Sequence, residues 1–153
     1  MASIDKRPDG RHRARWREGP QKTRHFDRKG DADRFLDAIR GDIAHGLYVN
    51  PAGGRTLFQE YAEQWRAGQV HRPSTVTQCE TYLRLHAYPT LGRRPIGAIR
   101  RSEIQAWVKK LAPASVEFVY GWVASIFKAA VGDRLIAASP CIRIALPKKL
   151  DTQ

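Results

Sequence analysis

Four arginines alternate with other residues near the start of the chain, at Arg11, Arg13, Arg15 and Arg17. Successive side chains of an extended strand point to opposite faces, so this spacing places all four guanidinium groups on one face. Like charges held side by side repel one another unless a polyanion neutralises them. A solvated charged face would be expected to interleave arginines with acids, and none is interleaved here. The alternation therefore predicts a strand that can enter the major groove of DNA.

The residues around this strand predict a three-stranded antiparallel sheet. A first strand over 3–7 leads through a Pro8-Asp9-Gly10 turn into the arginine strand. A Glu18-Gly19-Pro20 turn then leads to a third strand over 21–26. We expect the third strand to extend the basic face with two more cations, Lys22 and Arg24.

A helix is expected to cover the other face of this sheet. Asp27 or Asp31 can cap its start, and Gly46 can end it. The apolar face of this helix should pack against Ala14 and Trp16 and leave the arginines uncovered on the other face of the sheet. The helical spacing is carried by five apolar residues, Ala32, Phe35, Leu36, Ile39 and Ile43.

Composition favours a polyanionic partner and a reducing compartment. The 153 residues carry 27 Lys and Arg against 15 Asp and Glu, a net charge of +12. The excess is concentrated in residues 1–26 and 51–153, so two binding surfaces are expected. Two cysteines, Cys79 and Cys141, make neither a disulfide framework nor a metal site, and no metal or organic cofactor is expected. Neither a signal peptide nor a membrane-spanning run is recognisable, and a reducing cytoplasm is the expected location.

The rest of the chain predicts an all-α bundle of four or five helices after a linker at 49–55. Thr56 and Gln59 form a capping box that opens the first helix. The second helix starts near 73–75, and Pro89 and Gly92 are expected to break the chain. The inward residues of the second helix are expected to be Val76, Cys79, Leu83 and His86.

Two further helices complete the predicted bundle. One starts near Arg101 and repeats Ile104, Trp107, Val108 and Leu111 at helical spacing. The other runs over about 114–131 and is apolar nearly all round, so it should be buried centrally or also face a partner. A short turn or fifth helix is expected over 134–138. The chain is then expected to leave the bundle as a polar segment that adds no residues to the core.

This order of parts resembles the phage-type integrases of the tyrosine recombinase family over about residues 3–150. Residues 1–48 resemble their arm-type DNA-binding domain, a three-stranded sheet with one helix. Residues 56–147 resemble their helical core-binding domain, which makes the fold class α+β. The arm-type likeness is carried by Ala14-Arg15-Trp16-Arg17, Phe26, Ala32 and Phe35. The core-binding likeness is carried by Thr56-Leu57, Trp65, Ser74-Thr75, Tyr88-Pro89-Thr90-Leu91-Gly92, Pro95-Ile96, Ile99, Ile104, the run from Ile126 to Val131, and Ser139-Pro140-Cys141.

The resemblance implies a DNA-recognition part without catalytic residues of its own. The family's catalytic domain, with its tyrosine nucleophile, would begin after Leu146-Pro147, and 148–153 would begin the linker to it. The family's His-x-x-Arg spacing recurs at His12 to Arg15 and at His25 to Arg28, both within the expected sheet unit. We interpret both matches as accidental in a chain this rich in arginine. Tyrosines such as Tyr61, Tyr82 and Tyr120 are expected to pack in the core.

The resemblance implies double-stranded DNA, an attachment site with arm and core sequences, as the partner, together with other integrase protomers on that DNA. The sheet arginines with Lys22 and Arg24 would contact the arm sequence. In the bundle, the expected DNA contacts are Arg72, Thr75, Gln78 and Ser115. Glu117 and Phe118 depart from the basic residues that the family often carries nearby. Two alternatives stay open: a stand-alone DNA-binding regulator or architectural protein, and an RNA-binding module.

Overall fold

The computed structural model describes residues 2–17, 21–45 and 48–148. The chain forms two compact units, Met1–Tyr48 and Val49–Gln153. The predicted turn at Glu18-Gly19-Pro20 and the predicted helix end at Gly46 lie outside the described residues. None of the described helices is long and apolar enough to cross a membrane.

The first unit is a three-stranded antiparallel sheet with one helix, as predicted. The strands are β1 (Ser3–Lys6), β2 (His12–Arg17) and β3 (Gln21–Phe26), with β2 in the centre. The turn between β1 and β2 is closed by a hydrogen bond from the Gly10 N–H to the Arg7 carbonyl, at 3.0 Å. Gly10 has a φ of +83°, in the left-handed region that glycine adopts without steric cost.

Helix α1 (Lys29–Ala44) lays its apolar stripe on the sheet, which confirms the predicted packing. Ala14 and Trp16 of β2 are buried against Ala32, Leu36 and Ile39 of α1. The predicted acidic caps are wrong: α1 begins after Arg28, and no side chain caps it. The two aspartates pair with arginines instead, Asp27 with Arg11 and Asp31 with Arg34.

The second unit is a helical bundle around an apolar core. Its helices are α2 (Phe58–Gly68), α3 (Pro73–Tyr82), a π-helix (Leu83–Gly92), α4 (Arg101–Lys109) and α5 (Val116–Gly132). Two short 3-10 helices, Gly53–Arg55 and Ile96–Ala98, accompany them. The largest fully buried side chains include Phe58, Leu83, Leu91, Ile104, Ile126 and Phe127.

The path from α3 to Gly92 differs from the prediction. Pro89 does not break the chain, because α3 continues into the π-helix and Pro89 lies inside it. A π-helix has i→i+5 hydrogen bonds and therefore a wider turn than an α-helix. Pro89 lies within this wider helix. Cys79 and Leu83 are buried as expected, and His86 is half-buried. Val76 is 42% exposed, so its predicted inward position is wrong.

The start of α2 is set by tertiary hydrogen bonds rather than by the predicted capping box. Leu57 precedes the helix, and no side chain caps it. Phe58 N–H donates to the Arg94 carbonyl at 2.9 Å, and Ile96 N–H donates to the Thr56 carbonyl at 2.8 Å. These bonds hold the entry of α2 against the segment that precedes α4.

The chain after α5 follows the prediction in one respect and departs from it in another. Residues 134–138 form a turn and bends, the first of the two predicted alternatives, and no helix. The exit is not free of core contacts, because Ile144 and Leu146 pack against the bundle core. Gln105 of α4 holds the Ala145 backbone through two hydrogen bonds, at 2.8 and 2.9 Å. Arg101 donates to the carbonyls of Ile142 and Arg143.

Candidate nucleic-acid interface

The register of the sheet defines which residues share the arginine face. Directly opposite residues of an antiparallel pair lie on the same face. On β3, His25 lies opposite Arg13, Thr23 opposite Arg15, and Gln21 opposite Arg17. On β1, Asp5 lies opposite Arg13 and Ser3 opposite Arg15. We call this surface, formed by the residues named here together with Arg11, the arginine face.

The predicted addition of Lys22 and Arg24 to the arginine face is wrong. Lys22 lies opposite Trp16 and Arg24 opposite Ala14, so both lie on the side of the sheet that α1 covers. The Arg24 guanidinium lies 5.0 Å from the ring centroid of Phe35, within the range of a cation–π contact. The physical reason is the register of the pairing: β3 pairs with β2 so that the even-numbered residues of β3 face the helix.

An acid that the sequence analysis missed lies within the arginine face. Asp5 Oδ2 accepts two hydrogen bonds from Arg13, from Nη2 at 2.6 Å and from Nε at 3.1 Å. Arg15 Nη2 lies 3.2 Å from the other carboxylate oxygen, Oδ1. The hydrogen bonds from Arg13, with the charges of both arginines, lower the pKa of Asp5 against the opposing effect of burial. The expectation of a face without acids is therefore wrong.

A signal for this acid was present in the sequence. The turn at Pro8-Asp9-Gly10 is centred on Asp9, and a tight hairpin pairs residues at equal distances from its centre. Asp5 and Arg13 are both four positions from Asp9, and they are paired in the structure.

The four arginines differ in how firmly they are held. Arg13 donates two hydrogen bonds to Asp5, whereas Arg15 makes a longer ion pair with it. Arg11 lies 3.3 Å from Asp27, but both side chains are more than half exposed, so this pair contributes little. Arg17, at the end of β2, is exposed.

The bundle residues expected to contact DNA fall at two helix starts. Arg72 immediately precedes α3 and is exposed. Thr75 and Gln78, three residues apart on α3, are neighbours on the helix surface, and Gln78 is exposed. Ser115 lies at the start of α5, where its hydroxyl donates to the Ala112 carbonyl at 3.3 Å. Their contact with DNA stays a prediction.

The loop that leads to Arg72 is anchored by aromatic packing that the sequence analysis did not predict. The His71 ring lies 5.4 Å from Trp122 and 6.4 Å from Trp65, measured between ring centroids. Gln69 Nε2 donates to the Trp65 carbonyl at 3.2 Å. These contacts pack the loop before α3 against the bundle on the N-terminal side of Arg72.

Candidate nucleophiles are held in structural roles. Tyr61 donates to Asp133 at 2.6 Å and Tyr88 to Glu63 at 2.7 Å, and burial with these hydrogen bonds raises the pKa of both phenols. Burial raises the pKa of Cys79 and of Cys141 to about 11. Thiols with such values are poor nucleophiles at neutral pH.

The two His-x-x-Arg matches do not form a cluster. His12 and Arg15 point to opposite faces of β2. His25 is exposed on β3, whereas Arg28 precedes α1. Within 2–17, 21–45 and 48–148, no three His, Cys, Asp or Glu side chains lie together as metal ligands.

Comparison with known families identifies the second unit. The family model of the phage integrase central domain matches residues 56–145, more than half of the chain. The chain belongs to this family. The resemblance to phage-type integrases seen in the sequence is thereby confirmed, although no curated protein sequence matches the chain.

Two solved structures of about 100 residues are similar to this chain in fold. A fragment from Clostridium leptum is 25% identical, with a TM-score of 0.55 over 65% of this chain and 96% of the fragment. The phage integrase SAM-like domain from Moorella thermoacetica is 23% identical, with a TM-score of 0.51 over 69% of this chain and 97% of that domain.

Lambda integrase is similar in fold over almost the whole chain. Its dimer bound to a COC' core site gives a TM-score of 0.57 at 14% identity, over 96% of this chain. The alignment covers 46% of the lambda integrase chain, so this chain spans about half of its length. The same protein has also been solved as a tetramer bound to a Holliday junction.

Proposed function

We propose that this chain is the DNA-recognition part of a phage-type integrase that acts in site-specific recombination. The sheet unit would bind an arm-type sequence through the arginine face, and the bundle would bind the core site where strands are exchanged. The family match over residues 56–145 supports the second part of this proposal. Other integrase protomers would be its partners on DNA.

The observation that carries the proposal is the division of β2 between two surfaces. Ala14 and Trp16 are buried under α1, whereas Arg13, Arg15 and Arg17 lie on the opposite face. A β-sheet can present such a face to the major groove, where arginine recognises guanine and phosphate contacts set the register. The binding surface is therefore built from the strand whose other side holds the unit together.

The same geometry favours DNA over RNA. Single-stranded RNA is commonly bound by aromatic side chains that stack on bases from an exposed sheet face. The aromatic residues of this sheet, Trp16 and Phe26, lie on the side packed against Phe35 of α1. The strand residues described on the arginine face include no Phe, Tyr or Trp.

A double variant tests the role of the arginine face. We expect Arg13→Ala with Arg15→Ala to weaken binding to attachment-site duplex DNA and to reduce the slope of log K against log salt by about 0.9 for each phosphate that the variant no longer neutralises. Titrations at several salt concentrations, with a footprint on the same DNA, measure both effects. Arg34→Ala with Arg40→Ala is the matched control, because it removes the same charge from exposed positions on α1. If the two double variants bind alike, the sheet does not form the interface.

Competition with duplex RNA of the same sequence separates the remaining alternatives. If unlabelled duplex DNA displaces a labelled DNA probe from the chain better than duplex RNA does, the result supports the proposal. Better displacement by duplex RNA would favour an RNA-binding module. A stand-alone regulator would bind DNA equally well but would not recognise both arm and core sequences of an attachment site. A footprint confined to one of those two sequences would support the regulator instead.

A further inference from the structure

Asp5 holds one guanidinium of the arginine face more firmly than the other. Arg13 uses Nε and Nη2 to donate to the same carboxylate oxygen, which fixes the plane of its guanidinium. Arg15 approaches the other oxygen only as an ion pair. Both Asp5 Oδ1 and Arg15 Nε are buried without a hydrogen-bond partner. The second half of this ion cluster is therefore incomplete in the free protein.

We propose that Asp5 is a specificity-determining residue that positions Arg13 to read guanine and leaves Arg15 to contact phosphate. This inference rests on the proposed function of the arginine face. It assigns different tasks to arginines that the sequence presents as equivalent.

The hydrogen-bonding capacity of Arg13 supports the assignment to guanine. A guanidinium carries five N–H groups, and Asp5 engages one on Nε and one on Nη2. The outer edge, with one N–H on each Nη, remains available as a parallel pair of donors. Such a pair matches O6 and N7 of guanine in the major groove. A carboxylate behind the guanidinium holds that edge in place before DNA arrives.

The charge of Asp5 supports the same division. A carboxylate within the face opposes close approach of phosphates, so it weakens sequence-independent binding. Near Arg13 it would penalise a phosphate contact more than a contact with an uncharged base edge. The contact between Arg15 and Asp5 is longer, at 3.2 Å, and the Arg15 Nε–H has no hydrogen-bond partner among the described residues. Arg15 is therefore less firmly held than Arg13, so it is the arginine that can turn toward a phosphate.

Selection from a library of randomised DNA duplexes tests this inference on the full chain. We expect the native protein to select guanine at a position contacted by the sheet. Asp5→Asn should reduce that preference by about tenfold, within the range of a bidentate arginine–guanine contact. Because the variant loses a negative charge, it should also bind unselected duplexes more tightly. Asp31→Asn, on α1, is the control with the same charge change, and it should leave the guanine preference unaltered.

A second variant keeps the test decisive if Asp5→Asn disturbs the fold. Arg13→Lys retains the charge but loses the planar fork, so it should bind unselected duplexes with an unchanged salt slope and no longer prefer guanine. Near-ultraviolet circular dichroism establishes that each variant is folded. If either folded variant keeps the native base preference, the inference is wrong. If Asp5→Asn unfolds the unit, the base preference of Arg13→Lys decides.

The outcomes also separate this inference from the proposed function. Loss of binding in Arg13→Ala with Arg15→Ala, combined with an unchanged base preference in folded Asp5→Asn, would overturn the role of Asp5 alone. Unchanged binding in the double alanine variant would overturn the role of the whole arginine face.

Discussion

At the scale of single residues, Trp16 is the side chain on which the sheet unit depends most. It is buried between the sheet and α1, and its ring meets Phe35 edge to face with 5.1 Å between centroids. Its indole Nε1–H donates to the Tyr48 hydroxyl at 3.1 Å. A unit of this size has little core to spare, so a single large side chain contributes much of its stability.

We predict that Trp16→Ala destabilises the sheet unit by about 3–5 kcal/mol, the usual cost of truncating a buried tryptophan. Urea unfolding followed by circular dichroism measures this change as an early transition that is absent from the native protein. Arg17→Ala, the next residue on the exposed side of β2, is the control and should change stability little. An unaltered unfolding curve for Trp16→Ala would show that the two faces of β2 are assigned in reverse.

At the scale of elements, two 3-10 helices of the bundle approach each other closely. Gly54 of Gly53–Arg55 and Gly97 of Ile96–Ala98 meet backbone to backbone. A Cβ placed on Gly97 would lie 2.8 Å from the Gly54 Cα, closer than real Cβ atoms come. The segment predicted as a linker therefore contributes residues 53–55 to the packing of the bundle.

We predict that Gly97→Ala destabilises the bundle by about 1–3 kcal/mol, because the new methyl group forces the two segments apart. Thermal unfolding followed by circular dichroism measures the change. Gly121→Ala is the matched control: a Cβ on Gly121 would meet nothing within 4 Å, and α5 should gain up to about 1 kcal/mol from the better helix former. Equal stability of the two variants would contradict the packing described for Gly54 and Gly97.

At the scale of the whole molecule, each of the two units would supply one binding surface under the proposed function, and the described residues of neither form a recognisable phosphoryl-transfer site. The buried Tyr61 and the half-buried Tyr88 have raised pKa values and donate to carboxylates. The two His-x-x-Arg matches lie on the sheet unit and do not converge on one point. Stabilising the charge that develops on a phosphoryl group requires several preorganised donors around it.

We predict that the chain binds attachment-site DNA but forms no covalent protein–DNA adduct with a nicked suicide substrate. A tyrosine has an ordinary pKa near 10 and is a weak nucleophile without cationic donors around the phosphate. A denaturing gel with labelled DNA tests this in the presence and absence of divalent metal ions. An intact integrase of the family is the positive control. Label that migrates with this chain would contradict the prediction, and mapping the adduct would identify the tyrosine responsible.

The sequence alone determined those features that depend on periodicity. The alternation in β2 separated Ala14 and Trp16 from the arginines, and helical spacing identified the stripe of α1 and the inward residues of α4. These patterns are visible in the sequence because one face of each helix or strand must be buried. Apolar residues therefore recur at the repeat of that element, about every second residue in a strand and every third or fourth in a helix. The order of the apolar motifs was also sufficient to indicate the phage integrase family.

Only the tertiary structure decided features that depend on register and on contacts distant in sequence. The pairing of β3 placed Lys22 and Arg24 beside α1, since a shift of one residue reverses every side chain of a strand. The hairpin turn contained a signal for the pairing of Asp5 with Arg13, but only the structure showed that the carboxylate holds both Arg13 and Arg15. Backbone hydrogen bonds with Arg94 and Ile96 replaced the capping box at α2. Backbone groups take the partner that the packed chain brings within reach, and that partner is not set by neighbouring residues.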